Sequence, residues 1–250
     1  AVALAAWRAG ALTGAGAAAA TAVGTAILAG AGWPGGAALA AFFVLSSAVS
    51  RLSPEPQAPE IDAKGNRRDP WQVLANGGPA AVGALLAWGS PALALWVVTA
   101  SLAVAAADTW ATSVGAWSRR PPRHLLTWAT VQPGASGGVT LYGTAGAMAG
   151  AFLVAAAGAA AGGAPALLPV ATLVGFSGMA VDSALGAGVQ GRFRCPRCQL
   201  RSEHRVHRCG TPTDRVGGVA WLNNDGVNAI ATGAGALAGW IAWQWLSRPA

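Results

Sequence analysis

The sequence predicts an all-α, polytopic membrane protein of about seven transmembrane helices with a cytoplasmic Cys/His loop, and three observations carry that expectation. Of the 250 residues, 54% are hydrophobic and 10% charged, against a charged fraction of roughly 25% in soluble domains. Apolar stretches recur along the chain, and about 20 apolar residues span a bilayer core. The Lys and Arg residues behind the net charge of +7 cluster in alternate connections between those stretches. Membrane topology, not nucleic acid, is therefore the reason for the high pI.

The spans are expected at residues 10–29, 36–49, 76–88, 92–110, 139–160, 167–189 and 229–246, within one domain covering 1–250. The first two are divided by a glycine-rich turn around Pro34, where proline removes a helical donor. Residues 51–71, rich in Pro and charge, are expected to be irregular. Gly89-Ser90-Pro91 divides the third span from the fourth, and Gly162-Gly163-Ala164-Pro165 the fifth from the sixth. Long polar loops, 119–136 and 192–215, precede the fifth and seventh. Several spans are short or interrupted by glycine, so two are candidates for broken or re-entrant helices. The Gly and Ala content suits close helix packing and would permit a homodimer. No cleavable signal peptide is expected, because the N-terminal apolar stretch is long and is followed at once by another.

Charge fixes the expected orientation. Arg8 precedes the first span; Arg51, Lys64, Arg67 and Arg68 follow the second; Arg119, Arg120 and Arg123 follow the fourth; seven arginines from Arg192 to Arg215 follow the sixth. The turns after spans one, three and five carry no Lys or Arg, and Arg248 alone lies beyond the last span. The positive-inside rule places the N-terminus and the three long loops in the cytoplasm, in an inner or plasma membrane of bacterial type.

Polar residues then gather at one level. Asp108 ends span four, Asp182 lies late in span six, and Asp225 opens span seven within Trp221-Leu222-Asn223-Asn224-Asp225-Gly226-Val227-Asn228. Asn224 and Asp225 stand four and three residues before Asn228, so on a helix their oxygens share one face. These residues either cap the helix or hold a buried cation or a metal-bound phosphate. Gln72, Asn76, Gly77 and Gly78 are expected to begin span three at this level, and Gly137, Gly138 and Thr140 to begin span five. Helix N-termini there would favour phosphate. Carboxylates and amide oxygens suit Mg²⁺, which bridges phosphate oxygens, and Arg67, Arg68 and one of Arg119, Arg120 or Arg123 are phosphate candidates.

At these positions the chain resembles a known family. Gln72-Val73-Leu74-Ala75-Asn76-Gly77-Gly78, Ala107-Asp108-Thr109-Trp110-Ala111-Thr112, Gly138-Val139-Thr140-Leu141-Tyr142-Gly143-Thr144, Asp182-Ser183-Ala184-Leu185-Gly186-Ala187 and Asn223-Asn224-Asp225-Gly226-Val227-Asn228 are similar to successive signatures of the integral-membrane family that contains plant and cyanobacterial phytyl-phosphate kinase. The resemblance implies a kinase that passes the terminal phosphoryl group of a nucleoside triphosphate, CTP by analogy, to a prenyl monophosphate such as phytyl phosphate. It departs from the family at Ser113, where an acidic residue is usual. In this reading Asp108, Asp182 and Asp225 are catalytic and hold Mg²⁺ with Asn224 and Asn228. Asn76, Gly77, Gly78, Gly137, Gly138, Thr140, Arg67, Arg68 and Asn223 bind nucleotide or substrate. Two other classes remain open: a transporter or flippase of an anionic isoprenoid lipid or ion, and a cytidylyltransferase that forms a CDP-lipid.

The loop 192–215 poses a separate question. Cys195-Pro196-Arg197-Cys198, followed by His204, His207 and Cys209, has the composition of a four-ligand zinc knuckle. Cys195, Cys198, Cys209 and His207 or His204 would be the ligands of a structural Zn²⁺; otherwise the loop carries reduced thiols and solvated histidines. All three cysteines of the chain lie in this loop.

Overall fold

The computed structural model describes residues 2–54, 67–202 and 205–247. Helix α1 (Val2–Arg8) precedes α2 (Gly14–Leu52), α3 (Pro70–Leu86), α4 (Pro91–Gly115), α5 (Leu141–Gly162), α6 (Leu167–Gly188) and α7 (Asn224–Leu246). Four of these, α2, α4, α5 and α6, are long and apolar enough to cross a membrane. Lys64, His204 and Arg248 lie outside the described residues.

Helix α2 is a hairpin rather than a rod. Gly32 adopts φ 62°, ψ −159°, a left-handed conformation that glycine tolerates, and Pro34 then lies in the first turn of the returning half, where its missing N–H does no harm. The halves run back along each other: a side chain at Gly24 would meet Leu39, and the Arg51 guanidinium donates to the Ala9 carbonyl at 2.8 Å. The first two expected spans are these two halves.

Helix α3 starts at Pro70, six residues earlier than expected, because Asp69 and Gln72 form a reciprocal capping box ahead of it. Gln72 N–H donates to Asp69 Oδ1 at 2.9 Å and Asp69 N–H to Gln72 Oε1 at 3.1 Å. Pro79 sits inside α3, so the Ala75 carbonyl four residues back lacks its helical donor. The hydroxyl of Thr232 on α7 donates to that carbonyl at 2.8 Å, and Ser101 of α4 donates to the Thr232 carbonyl at 3.0 Å. One proline thus ties three helices through hydroxyls.

Helix α4 is the hub. It packs against α2, α3, α5, α6 and α7, and every residue from Leu93 to Ala107 is buried. Its neighbours approach it through glycines: Gly143, Gly146, Gly150 and Gly158 of α5, Gly175 and Gly178 of α6, Gly235 and Gly239 of α7. At each of these a Cβ would collide with α4 backbone or side chains, which is how small residues bring helices together when lipid supplies no hydrophobic drive.

These contacts give the helix directions. Gly175 meets Ala103 and Gly178 meets Val104, so α6 runs parallel to α4; Gly239 meets Trp96 and Gly235 meets Val104, so α7 runs antiparallel to it. Gly150 meets Ala106 and Gly143 meets Ala111, which makes α5 antiparallel as well. The starts of α3, α5 and α7 and the ends of α4 and α6 therefore share one end of the bundle, together with the polar loops. Exposed tryptophans mark both ends, Trp7, Trp71, Trp117 and Trp221 beside the loops and Trp33, Trp88 and Trp245 opposite, as at membrane interfaces.

The loops are not wholly irregular. Strands β1 (Arg123–His124) and β2 (Gly138–Val139) pair across the loop between α4 and α5, and β3 (Arg192–Arg194), β4 (Arg201–Ser202) and β5 (Asp214–Gly217) form an antiparallel sheet in the order β4-β3-β5. Strands of two to four residues lie below the length that hydrophobic periodicity can reveal.

Candidate functional site

Helix α4 continues to Gly115, so Asp108 lies two turns inside the helix rather than at its end. Its carboxyl group is in hydrogen-bonding contact with that of Asp182, as the parallel register of α4 and α6 requires. Asp182 is 8% exposed. Two carboxyl groups this close share a proton or a cation, because two adjacent negative charges at a buried position repel.

Helix α7 presents Asp225, Asn228, Thr232, Gly235 and Gly239 at spacings of three and four, a single stripe along a helix. Gly235 and Gly239 lie on α4, and continuing the same register two turns toward the loops brings Asn228 level with Asp108. Asn228 is 7% exposed, and its Oδ1 is buried without a donor among the described residues. Asp225 is half-buried one turn further out. It lines a groove of about 310 Å³ between α3 and α7 with Trp71, Leu74, Ala75, Asn223 and Ala229.

Several expected site residues are taken up by the fold. Asn223 caps α7, its Oδ1 accepting from Gly226 N–H at 2.9 Å, and Thr140 caps α5 in the same way with Gly143. Asn224 is the first, exposed residue of α7. Gly77 and Gly78 lie in the third turn of α3, where N–H groups are already engaged; this corrects the expectation that they open the helix. A Cβ at Gly77 would press on Val23 of α2, so its smallness serves packing. Asn76 is likewise within α3, donating to the Gln72 carbonyl at 2.8 Å.

Gly137 has φ +74° and abuts Ala187, while Gly138 N–H donates to Ala135 O at 3.0 Å. That donor is spent within its own turn, which corrects its placement among free phosphate-binding N–H groups. Arg67 donates to the Leu12 carbonyl at 3.1 Å. The Arg68 guanidinium stands 5.3 Å from the Phe42 ring and 5.6 Å from that of Phe43, a cation–π arrangement. Burial lowers its pKa to about 10, which leaves it charged at neutral pH. Ser113 is buried against α2, 3.1 Å from Ser50 Oγ. Five residues beyond Asp108, it faces about 140° away from it.

The second cluster lies in the loop sheet. Cys195, Cys198, His207 and Cys209 bring one donor atom each to within 4.8 Å of one another, so the loop is no open chain of solvated thiols and could hold a metal. No disulfide joins the cysteines. Hydrogen bonds from Thr211 and His207 pull the Cys209 thiol down to about 5, while its contact with Cys209 and desolvation push Cys198 up to about 11.

Residues 1–236 match the family described as integral membrane protein DUF92. The chain belongs to this family. It is 30% identical over 232 residues to Protein PGR of Arabidopsis thaliana, covering 80% of this chain and 78% of the relative. It is 33% identical over 150 residues to an uncharacterized membrane protein of Methanocaldococcus jannaschii, covering 60% of this chain and 62% of that one. No solved structure matches. Family membership makes the bundle an integral membrane protein, and four helices meet the length and hydropathy of a span.

Sequence reading missed the groove wall and the hydroxyl thread. Trp71 ends the segment expected to be irregular and Leu74 falls before the expected third span, although Asp69-Pro70 followed by Gln72 is a helix-start pattern that would have placed both on α3. Thr232 could have been found from its position four residues after Asn228, on the same stripe.

Proposed function

We propose that this protein is a membrane kinase that transfers the terminal phosphoryl group of a nucleoside triphosphate to a prenyl monophosphate, yielding the prenyl diphosphate. The observation that carries the reading is the contact between Asp108 and Asp182 from two helices, with the orphaned Asn228 oxygen at the same level. Carboxylate and amide oxygens are the donors Mg²⁺ prefers, and a buried oxygen lacking a donor fits a ligand position. When bound, the cation would neutralise charge on the transferred group and hold the triphosphate.

The chain's own residues account for the remaining requirements. Asp108, Asp182 and Asn228 hold the cation site, and Asp225 extends the acidic stripe toward the loops. An acceptor phosphate oxygen attacks the terminal phosphorus, the bond to the nucleoside diphosphate breaks, and the nucleoside diphosphate leaves. The acceptor is already ionised, so positioning and electrostatics suffice and no nucleophilic side chain is needed. The groove between α3 and α7 has an apolar wall of Trp71, Leu74 and Ala75 and a polar end at Asp225, which suits a prenyl chain with its phosphate at the loops. CTP as donor follows the family resemblance.

Orientation belongs to the same proposal. Leaving out the short α1 and counting the halves of α2 separately, seven helical segments cross the membrane alternately, and the positively charged loop end faces the cytoplasm, where nucleotide is available. The deciding experiment incubates purified protein with Mg²⁺, CTP or ATP, and a panel of prenyl monophosphates. Prenyl diphosphate with nucleoside diphosphate supports the kinase; CDP-lipid with pyrophosphate, or no turnover with any pair, overturns it.

A further inference from the structure

We propose that Cys195, Cys198, His207 and Cys209 bind one structural zinc ion, and that this ion clamps the end of α6 to the start of α7. The inference is independent of the kinase reading.

A tetrahedral zinc with thiolate and imidazole ligands has donor-to-donor edges of about 3.4–3.8 Å. Cys195 Sγ and Cys209 Sγ are 3.6 Å apart, on that edge and far beyond a disulfide length of about 2.05 Å. The four donors come from two similar turns. Cys198 N–H lies 3.4 Å from Cys195 Sγ, and Cys209 N–H lies 3.3 Å from His207 Nδ1. In the first turn the backbone of Cys198 thus folds against the sulfur of Cys195, and in the second the backbone of Cys209 folds against the ring of His207. Positive φ at Gln199 (59°) and Gly210 (80°) lets the chain leave each turn sharply.

Chemistry selects the ion. Three sulfurs and one imidazole form a soft set that discriminates against Mg²⁺ and suits zinc. Four protein ligands leave no open position, which makes the site structural rather than catalytic. Three thiolates and a neutral imidazole around Zn²⁺ carry one net negative charge, and Arg194, Arg197, Arg201, Arg205 and Arg208 surround it in sequence.

Energetics show why an ion is needed. Cys195 is 0% and His207 3% exposed, yet the strands around them have two to four residues. Three strands this short bury little apolar surface of their own, and metal binding supplies folding free energy to small loop-rich units.

The sheet's base is where the ion acts on the bundle. Val219 N–H donates to Val189 O, and Gly191 N–H donates to Leu222 O, both at 2.8 Å; Gln190 bridges Val219 in parallel. Val189 directly follows α6, which carries Asp182, and Leu222 directly precedes the cap of α7, which carries Asp225 and Asn228. Zinc at the far end of the loop therefore keeps these two helix ends in register.

The test uses the full chain purified in detergent without chelator. Elemental analysis should give about one zinc per chain, and Co²⁺ exchanged into the wild-type protein should show tetrahedral ligand-field bands with thiolate charge transfer. Stripping the metal should raise tryptic cleavage within 192–215 by about tenfold or more while helicity persists. Cys198→Ser and Cys209→Ser should each lose most of the bound metal. Zinc below about a tenth of an equivalent together with a featureless cobalt spectrum overturns the site. Metal present but cleavage unchanged on stripping overturns the clamp.

Discussion

At Asp182 the physical demand is sharpest, because a carboxyl group that touches a second carboxyl group away from water needs something positive between them. Asp182→Asn keeps the shape and the hydrogen bond but removes a charge, and it should lower turnover of a prenyl phosphate by about 10²-fold or more with the far-ultraviolet circular dichroism unchanged. Activity within a factor of about three of wild type would rule out the proposed cation-binding role of Asp182. Asn228→Leu removes the buried oxygen while filling the same space. It should weaken Mg²⁺ activation, measured as a shift of about tenfold in the half-saturating concentration, without loss of thermal stability. Ser113, by contrast, directs its hydroxyl to Ser50 on α2, while its backbone carbonyl accepts from Ser53 just beyond that helix, so a carboxylate at that position would join a different set of neighbours.

Among the elements, α3 and α7 are coupled by the defect that Pro79 introduces. Thr232→Val leaves the Ala75 carbonyl without a donor and should destabilise the bundle by about 1–3 kcal/mol, read from thermal unfolding in detergent. Pro79→Ala restores an N–H to that carbonyl, so the same Thr232→Val change made on top of it should lose much of its effect. Equal losses in both backgrounds would show that the hydroxyl serves something else. The glycine faces set a second limit. At Gly175 a Cβ would stand 2.8 Å from both Ala103 and Ala151 Cβ. Gly175→Val should therefore separate α4, α5 and α6 and lower stability by about 1–3 kcal/mol or more, measured the same way. The small-residue stripes of α5, α6 and α7 are spent on α4 within one chain.

For the whole molecule, the alternating helix directions and the loop charges make one statement about topology. Single cysteines placed in residues 119–136 should react with a membrane-impermeant maleimide from the cytoplasmic side alone, and one at Ala164 from the opposite side alone. Labelling of both from the same side would break the alternation. Much of this was legible in the chain. Hydrophobic run length exposed the bundle, and the segregation of arginines exposed its two ends, because both reflect transfer free energies that act residue by residue. Spacing likewise exposed the Cys/His group, since ligand chemistry restricts which residues can serve. Other features depend on which surfaces meet. A Cβ at Gly77 or Gly137 would press on Val23 or Ala187, and Asn223 and Thr140 each cap their own helix, so packing and capping draw on the same residue types as a phosphate site and local sequence does not separate the two. The sequence by itself determined that the chain is a helical membrane protein whose polar groups collect at one end. Only the tertiary structure decided which of those groups touch, because packing of α6 and α7 on α4 sets a register that no local pattern encodes.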